Sequence, residues 1–130
     1  MRVLEAVDKA KKSIIIGMED CIFCKIASGD IPCDIVLRDD AFLAFRDINP
    51  QAPQHVLVIP CEHVDSLAYI DELQACDGQA LLSFIAKVAH ELGLSTSGYR
   101  VITNVGPDSG QAVAHLHFHI LGGERLGTMR

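Results

Sequence analysis

The chain has 130 residues, 49% of them hydrophobic and 22% charged, with a formal net charge of −6. That length makes one domain of ordinary size with enough apolar material for a packed core, and no apolar run approaches the roughly 20 residues of a membrane span. The acidic balance excludes a surface that coats nucleic acid, although one local pocket can still take a small nucleotide. Five cysteines is an odd count, and the run "SIIIGM" is too short for the apolar core of a secretory signal. These features point to a reducing, cytoplasmic compartment in which thiols are free or bound to metal.

Residues 1–18 form an extension. Val3, Leu4, Val7, Ala10 and Ile14 stand at helical spacing between lysines, as in a short amphipathic helix or a ragged tail. Met18 stands directly before the compact part, residues 19–130, which opens at "EDCIFCKI" and contains no linker, repeat or low-complexity tract. "GDIP" breaks the chain at Gly29–Pro32. "DIVLRD" and "AFLAFRDI" are predicted as two strands joined by a turn at Asp39-Asp40. "NPQAP" is a second break, and "HVLVIP" a buried strand ended by Pro60. A long helix is predicted from Asp71 to Leu92, with Leu73, Leu81, Leu82, Phe84, Ile85, Val88, Ala89 and Leu92 on its apolar stripe. Ser66 or Asp71 caps a helical start and Gly93 marks the stop. "YRVITNVG" is a strand, "PDSGQA" a loop and "HLHFHIL" the last strand. Strands in a meander with one main helix inserted make an α+β fold with an antiparallel sheet.

"HLHFHILGG" is the most informative stretch. On a strand, His115, His117 and His119 share one face while Leu116, Phe118 and Ile120 share the other. The three imidazoles then spread over about 13–14 Å, too far to act on one atom, so a division of labour is expected. Imidazole serves as metal ligand, nucleophile or proton carrier near neutral pH. The alternatives are a polar sheet face with incidental histidines, or a three-histidine zinc site, which needs ligands converging from several strands.

"CIFC" places Cys21 and Cys24 where both can reach one metal through a tight turn. They can equally be two small buried hydrophobes or a redox pair. His63 and His115 are the candidates to complete a tetrahedral zinc site that would staple the N-terminal segment to the sheet. The loop "NVGPDSGQAVAH" offers backbone N–H groups to a phosphate, although most such loops are simply turns. His90 lies late in the long helix and has a helix-end role.

The histidine pattern, together with "CIFCKIASGDIP" and "AFRDINPQAPQHVLVIP", resembles the Hint branch of the histidine triad superfamily over residues 19–123. That resemblance implies a five-stranded antiparallel sheet with one long helix and a short helix per subunit, usually in a homodimer. It implies a nucleotide hydrolase or transferase acting at the α-phosphate. The expected purine nucleotide substrate is a nucleoside 5′-phosphoramidate, cleaved to the monophosphate and an amine. A dinucleoside polyphosphate hydrolase and a nucleotide-binding regulatory module are the alternatives. No cofactor is required for the chemistry, and structural zinc is expected on Cys21, Cys24, His63 and His115.

By position, the resemblance makes His117 the nucleophile. His119 and His55 would flank the phosphate, and His115 completes the histidine set. Asp47 would accept hydrogen bonds from both ribose hydroxyls. Ile22, Phe23, Ile26, Phe45 and Ile48 would line the base pocket, while Asn104, Gly110, Gln111 and Val113 would frame the phosphate and leaving group. Two departures stand out. Ala112 replaces the serine common in this branch, which removes a hydroxyl from the leaving-group side. The chain also ends in "GGERLGTMR", without the tryptophan-containing tail that in relatives reaches the partner's site.

Overall fold

A computed structural model describes residues 20–73 and 78–129; the extension predicted over residues 1–18 lies outside the described residues. Five strands form one antiparallel sheet: β1 (Ile35–Arg38), β2 (Phe42–Arg46), β3 (Gln54–Pro60), β4 (Tyr99–Ile102) and β5 (Phe118–Gly122). Their order across the sheet is β1-β2-β3-β5-β4. Among the described residues, helix α1 (Ile22–Ser28), helix α2 (Gly78–Glu91) and two short 3₁₀ turns accompany the sheet. The α+β antiparallel architecture expected from the sequence is therefore present. Among the described residues, no helix is long and apolar enough to cross a membrane.

Local chemistry accounts for the breaks. The Cys21 sulfur caps α1 by accepting from the Cys24 amide at 3.3 Å. Gly29 ends the helix at φ 89°, a left-handed conformation that costs glycine little. Between β1 and β2, one carboxylate oxygen of Asp39 accepts from the amides of Ala41 and Phe42, both at 2.8 Å, which is the expected Asx-type turn. Gly93 closes α2, and Leu94 behind it is buried at 3% exposure. A buried apolar residue just past the glycine is the usual hydrophobic partner of such a stop.

Both faces of the sheet are covered, which explains why β2 and β3 are apolar almost throughout. On one face, Phe42, Ala44, Val56, Val58, Leu116, Phe118 and Ile120 pack against Leu81, Phe84, Ile85, Val88 and Ala89 of α2. On the other, Leu43, Phe45, Leu57 and Ile59 pack against Cys21, Phe23, Ile26 and Ala27 around α1. Since α1 is short, it covers only part of its face and leaves a concave space beside it.

Four expectations about these elements are corrected. The helix predicted from Asp71 to Leu92 is broken: a 3₁₀ turn over Leu67–Glu72, capped by Ser66, ends at Leu73 in extended backbone (ψ 124°), and α2 begins at Gly78. Leu73 and Leu81 are eight residues apart, which suits one helical stripe, and both do reach the same core. They arrive from two separate elements, a distinction that periodicity cannot make. Leu82, placed on that stripe, is 62% exposed.

The last strand begins at Phe118, so His115 and His117 precede it rather than lie on it. Leu116 donates its amide to the Val64 carbonyl at 2.7 Å, off the sheet. The inward and outward alternation survives without the ladder, because Leu116, Phe118 and Ile120 all still reach the α2-side core. Similarly, the strand read over "YRVITNVG" is limited to Tyr99–Ile102.

The glycine pair after the histidines has a steric reason. Gly122 faces Leu94, whose methyl carbons would lie 3.0 and 3.1 Å from an added Cβ. Gly123 adopts φ +95°, and a Cβ there would meet Pro53 at 3.0 Å. We expect Gly123→Ala to destabilise the fold by about 1–3 kcal/mol, since it combines a left-handed backbone with a close contact. Urea denaturation checks this, and an unchanged midpoint would contradict the account.

Candidate active site

β3 and β5 deliver the functional side chains to the α1 face. His119 pairs with Leu57 across the sheet, and His55 lies two residues before Leu57 on the same side. Asp47 follows β2, and its amide donates to the His55 carbonyl at 3.0 Å. The three histidines of the motif divide as the sequence spacing suggests. His117 and His119 have ring centroids 5.2 Å apart and His119 lies 5.1 Å from His55, whereas His115 packs against His63 at 4.8 Å.

A cavity of about 590 Å³ opens beside α1. Ile22, Phe23, Ile26, Phe45, Leu57 and Val113 form its apolar walls, and Asp47, His117 and His119 supply polar groups at its edge. Of the expected base-pocket residues, Ile22, Phe23, Ile26, Phe45 and Ile48 all line this space, but Ile48 stands at the rim, fully exposed. Ile31, Pro32, Cys33, Asp34 and Arg46 also contribute. "GDIP" reads in sequence only as a chain break, so nothing there signals a wall. Ala112 lines the cavity as well, so the position that lacks a hydroxyl does face this space.

The ring of His117 is oriented by one bond. Its Nδ1–H donates to the His115 carbonyl at 2.7 Å. With the proton assigned to Nδ1 by that partner, Nε2 carries the free lone pair. Burial pushes the His117 imidazole below its ordinary pKa, and the carbonyl bond opposes that only in part. The ring is therefore neutral near pH 7 and its Nε2 is nucleophilic. Phe23 packs edge-on against His117 at 5.1 Å and against His115 at 5.9 Å, which fixes both rings from the α1 side.

A second chain of protons starts at a backbone amide. Gln51 N–H donates to His55 Nδ1 at 2.9 Å. His55 must then carry its proton on Nε2, which lies 2.9 Å from His119 Nδ1. His119 accepts there, and so holds its own proton on Nε2. Burial and the neighbouring His117 and His55 lower the His119 pKa to about 4, so it is a neutral donor. His55 is buried and is not among the residues that line the cavity; its Nε2 backs onto His119. Asp47, His55 and His119 lie close enough together to suggest metal ligands. The Gln51 bond argues against that, because the His55 nitrogen that faces the cluster is the protonated one.

The other expected residues are placed as follows. The Gln111 amide nitrogen donates to the carbonyls of Asp65 and Val113, and its oxygen accepts from the Gly106 amide. That side chain is committed to shaping its own loop. Asn104, Gly110 and Gln111 are not on the cavity wall, in contrast to Val113.

Cys21, Cys24, His63 and His115 come together although 94 residues separate the first from the last. The sulfur of Cys21 is 3.2 Å from His115 Nδ1, and that of Cys24 is 3.2 Å from His63 Nδ1 and 3.5 Å from His115 Nδ1. The edges of a tetrahedron built on zinc–nitrogen and zinc–sulfur bond lengths are about 3.3–3.8 Å. Both histidines have the far nitrogen occupied: His115 Nε2 donates to the Pro60 carbonyl at 2.9 Å and His63 Nε2 to Asp65 at 2.8 Å. Their Nδ1 lone pairs consequently converge on the sulfurs, with the second shell that metal-binding histidines require. A hydrogen bond shared with Cys24 draws Cys21 far below the usual thiol range, toward the thiolate that ligates metal, while the same bond and burial push Cys24 up. This set fits a tetrahedral N/S metal and places His115 here, away from the cavity. Asp65 is the partner that sequence reading missed, although it lies only two residues beyond His63.

Fold and site together define a protein that presents neutral, pre-oriented histidines to an apolar cavity of about 590 Å³. A HIT domain model matches residues 28–126, and the chain belongs to that family. It is 52% identical over 109 residues to an uncharacterised HIT-like protein of Synechococcus elongatus, covering 83% of this chain and 94% of that one. It is 44% identical over 114 residues to the purine nucleoside phosphoramidase of Escherichia coli, covering 85% and 93%. Among solved structures, a histidine triad protein from Clostridium difficile matches with a TM-score of 0.79 and 49% identity over 85% of this chain and 96% of that one. A HIT family hydrolase from Clostridium thermocellum matches with a TM-score of 0.73 and 43% identity, with the same coverage.

Proposed function

We propose that this protein hydrolyses purine nucleoside 5′-phosphoramidates through a nucleotidyl-histidine intermediate. The observation that carries the reading is the neutral His117 ring, its Nδ1–H held by the His115 carbonyl and Nε2 free, at the edge of an apolar cavity that also holds Asp47. The similarity to a purine nucleoside phosphoramidase adds support.

The purine lies between the α1 side chains and Phe45, where flat apolar area favours a large base. Asp47 accepts hydrogen bonds from the ribose. His117 Nε2 attacks the α-phosphorus, the P–N bond breaks, and the amine leaves with a proton taken from solvent. A water molecule then adds to phosphorus and releases a proton to solvent, the P–Nε2 bond breaks, and the nucleoside monophosphate departs. Two displacements replace one difficult one. His119 Nε2–H donates to the phosphoryl group as charge builds on it, a form of stabilisation worth most in a dry site.

Release of AMP from adenosine 5′-phosphoramidate tests this reading, with diadenosine polyphosphate run in parallel. His117→Ala should lower turnover by about 10⁴-fold or more, as loss of an activated nucleophile does elsewhere, while AMP still binds. Near wild-type turnover in that variant would remove His117 as the nucleophile. Hydrolysis of the polyphosphate alone would replace the proposed leaving group.

We also propose that Cys21, Cys24, His63 and His115 hold a structural zinc ion, on the strength of the converging lone pairs and the filled second shell. Zinc there would neutralise the thiolate charge and tie the N-terminus of α1 to the segment before β5. Cys24→Ser should lower both zinc content and melting temperature. Wild-type protein that contains no zinc when purified without chelator would count against the site.

A further inference from the structure

Asp47 and His55 share an arrangement that ribose binding alone does not need. The Oδ1 atom of Asp47 accepts from the Asn49 amide at 2.8 Å, leaving Oδ2 as the oxygen open to a ligand. That same Oδ2 lies 3.4 Å from His55 Nε2. His55 has a single ring proton, placed on Nε2 by the Gln51 amide. His119 Nδ1 accepts that N–H at 2.9 Å, while the Asp47 carboxylate, with Oδ2 at 3.4 Å, draws on the same proton by its charge alone.

We propose that Asp47 couples ribose occupancy to catalysis through His55 and His119. The inference rests on the reading of this cavity as a nucleotide site. A ribose hydroxyl that donates to Oδ2 takes up the carboxylate's accepting capacity and weakens its pull on the His55 proton. His55 then gives its N–H undivided to His119 Nδ1. Chained hydrogen bonds polarise one another, so the His119 Nε2–H that faces the cavity becomes a stronger donor. No bond is made or broken in this relay, and each proton stays on its nitrogen. The ribose therefore acts on the rate of the chemical step as well as on affinity. Asp47 and His55 are positioning residues for His119, and the ribose reports its presence through them.

A split between kcat and KM separates this from simple binding. Wild type is assayed with adenosine 5′-phosphoramidate and with its 2′,3′-dideoxy form. The dideoxy substrate should have a kcat lower by about tenfold, the rate equivalent of one hydrogen bond weakened in the transition state, in addition to a higher KM. Asp47→Asn puts an NH₂ where Oδ2 stood, which cannot compete for the His55 proton. In that variant the kcat values for the two substrates should become equal. A wild-type kcat identical for both substrates would overturn the coupling, as would a kcat difference that persists in Asp47→Asn.

A second measurement requires no turnover. In protein with ¹⁵N-labelled histidine, adenosine should shift the His119 ring nitrogens and 2′,3′-dideoxyadenosine at saturation should not. Equal shifts with both nucleosides would overturn the coupling and leave the nucleotide site intact. Failure of adenosine to bind would overturn the nucleotide reading itself, and the coupling with it.

Discussion

One hydrogen bond organises the site: His117 Nδ1–H to the carbonyl of His115, 2.7 Å long. It decides which nitrogen of the central histidine is free, and a free Nε2 is the precondition for any chemistry by that ring. The bond joins a residue to its neighbour two positions away, so its geometry depends on how the segment before β5 is held. That segment is secured at several points. The His115 ring is fully buried and bonded to Pro60, Leu116 is tied to Val64, and the His117 carbonyl accepts from the Thr103 hydroxyl at 2.7 Å. Removing the segment from the regular ladder costs sheet hydrogen bonds, but it frees the His115 carbonyl for this task.

The histidine motif thus serves two centres. His115 turns its ring toward the cysteines and its carbonyl toward His117, so the Cys/His cluster and the proposed nucleophile share one residue. Helix α1 connects the same two centres from the other side. Cys21 caps the helix and faces His115, while Phe23, two residues on, packs against both His115 and His117 and lines the cavity. A metal staple on Cys21 and Cys24 would therefore brace the cavity wall and the His117 ring together. His119 belongs to the other chain of protons, whose direction is set by the Gln51 amide. Two backbone groups, one carbonyl and one N–H, dictate the tautomers of three histidines.

Much of this was legible from residue type and spacing. The alternation of histidine with Leu116, Phe118 and Ile120 shows which side chains face the core, and it holds even where the strand does not, because burial rather than the ladder imposes it. Asp39, Gly29 and Gly93 mark their breaks by chemistry that is local. What was not legible is non-local or backbone-borne. Leu73 fits the helical stripe of α2 but comes from a separate turn. The sequence does not tell that His55 backs onto His119, which follows from the register of β3 against β5. The Gln51 amide leaves no trace in a sequence, since every residue but proline has one. His63 and His115 are candidates for the cysteines by residue type, but no spacing rule brings Cys21 to His115 across 94 residues.

The most direct test of the account is the tautomer of His117, read from long-range ¹⁵N–¹H couplings in protein with labelled histidine at pH 7. The account predicts a neutral ring protonated on Nδ1, with Nε2 bare. A ring protonated on Nε2, or on both nitrogens, would contradict it, because no lone pair would then face the cavity and the attack on phosphorus would have no nucleophile.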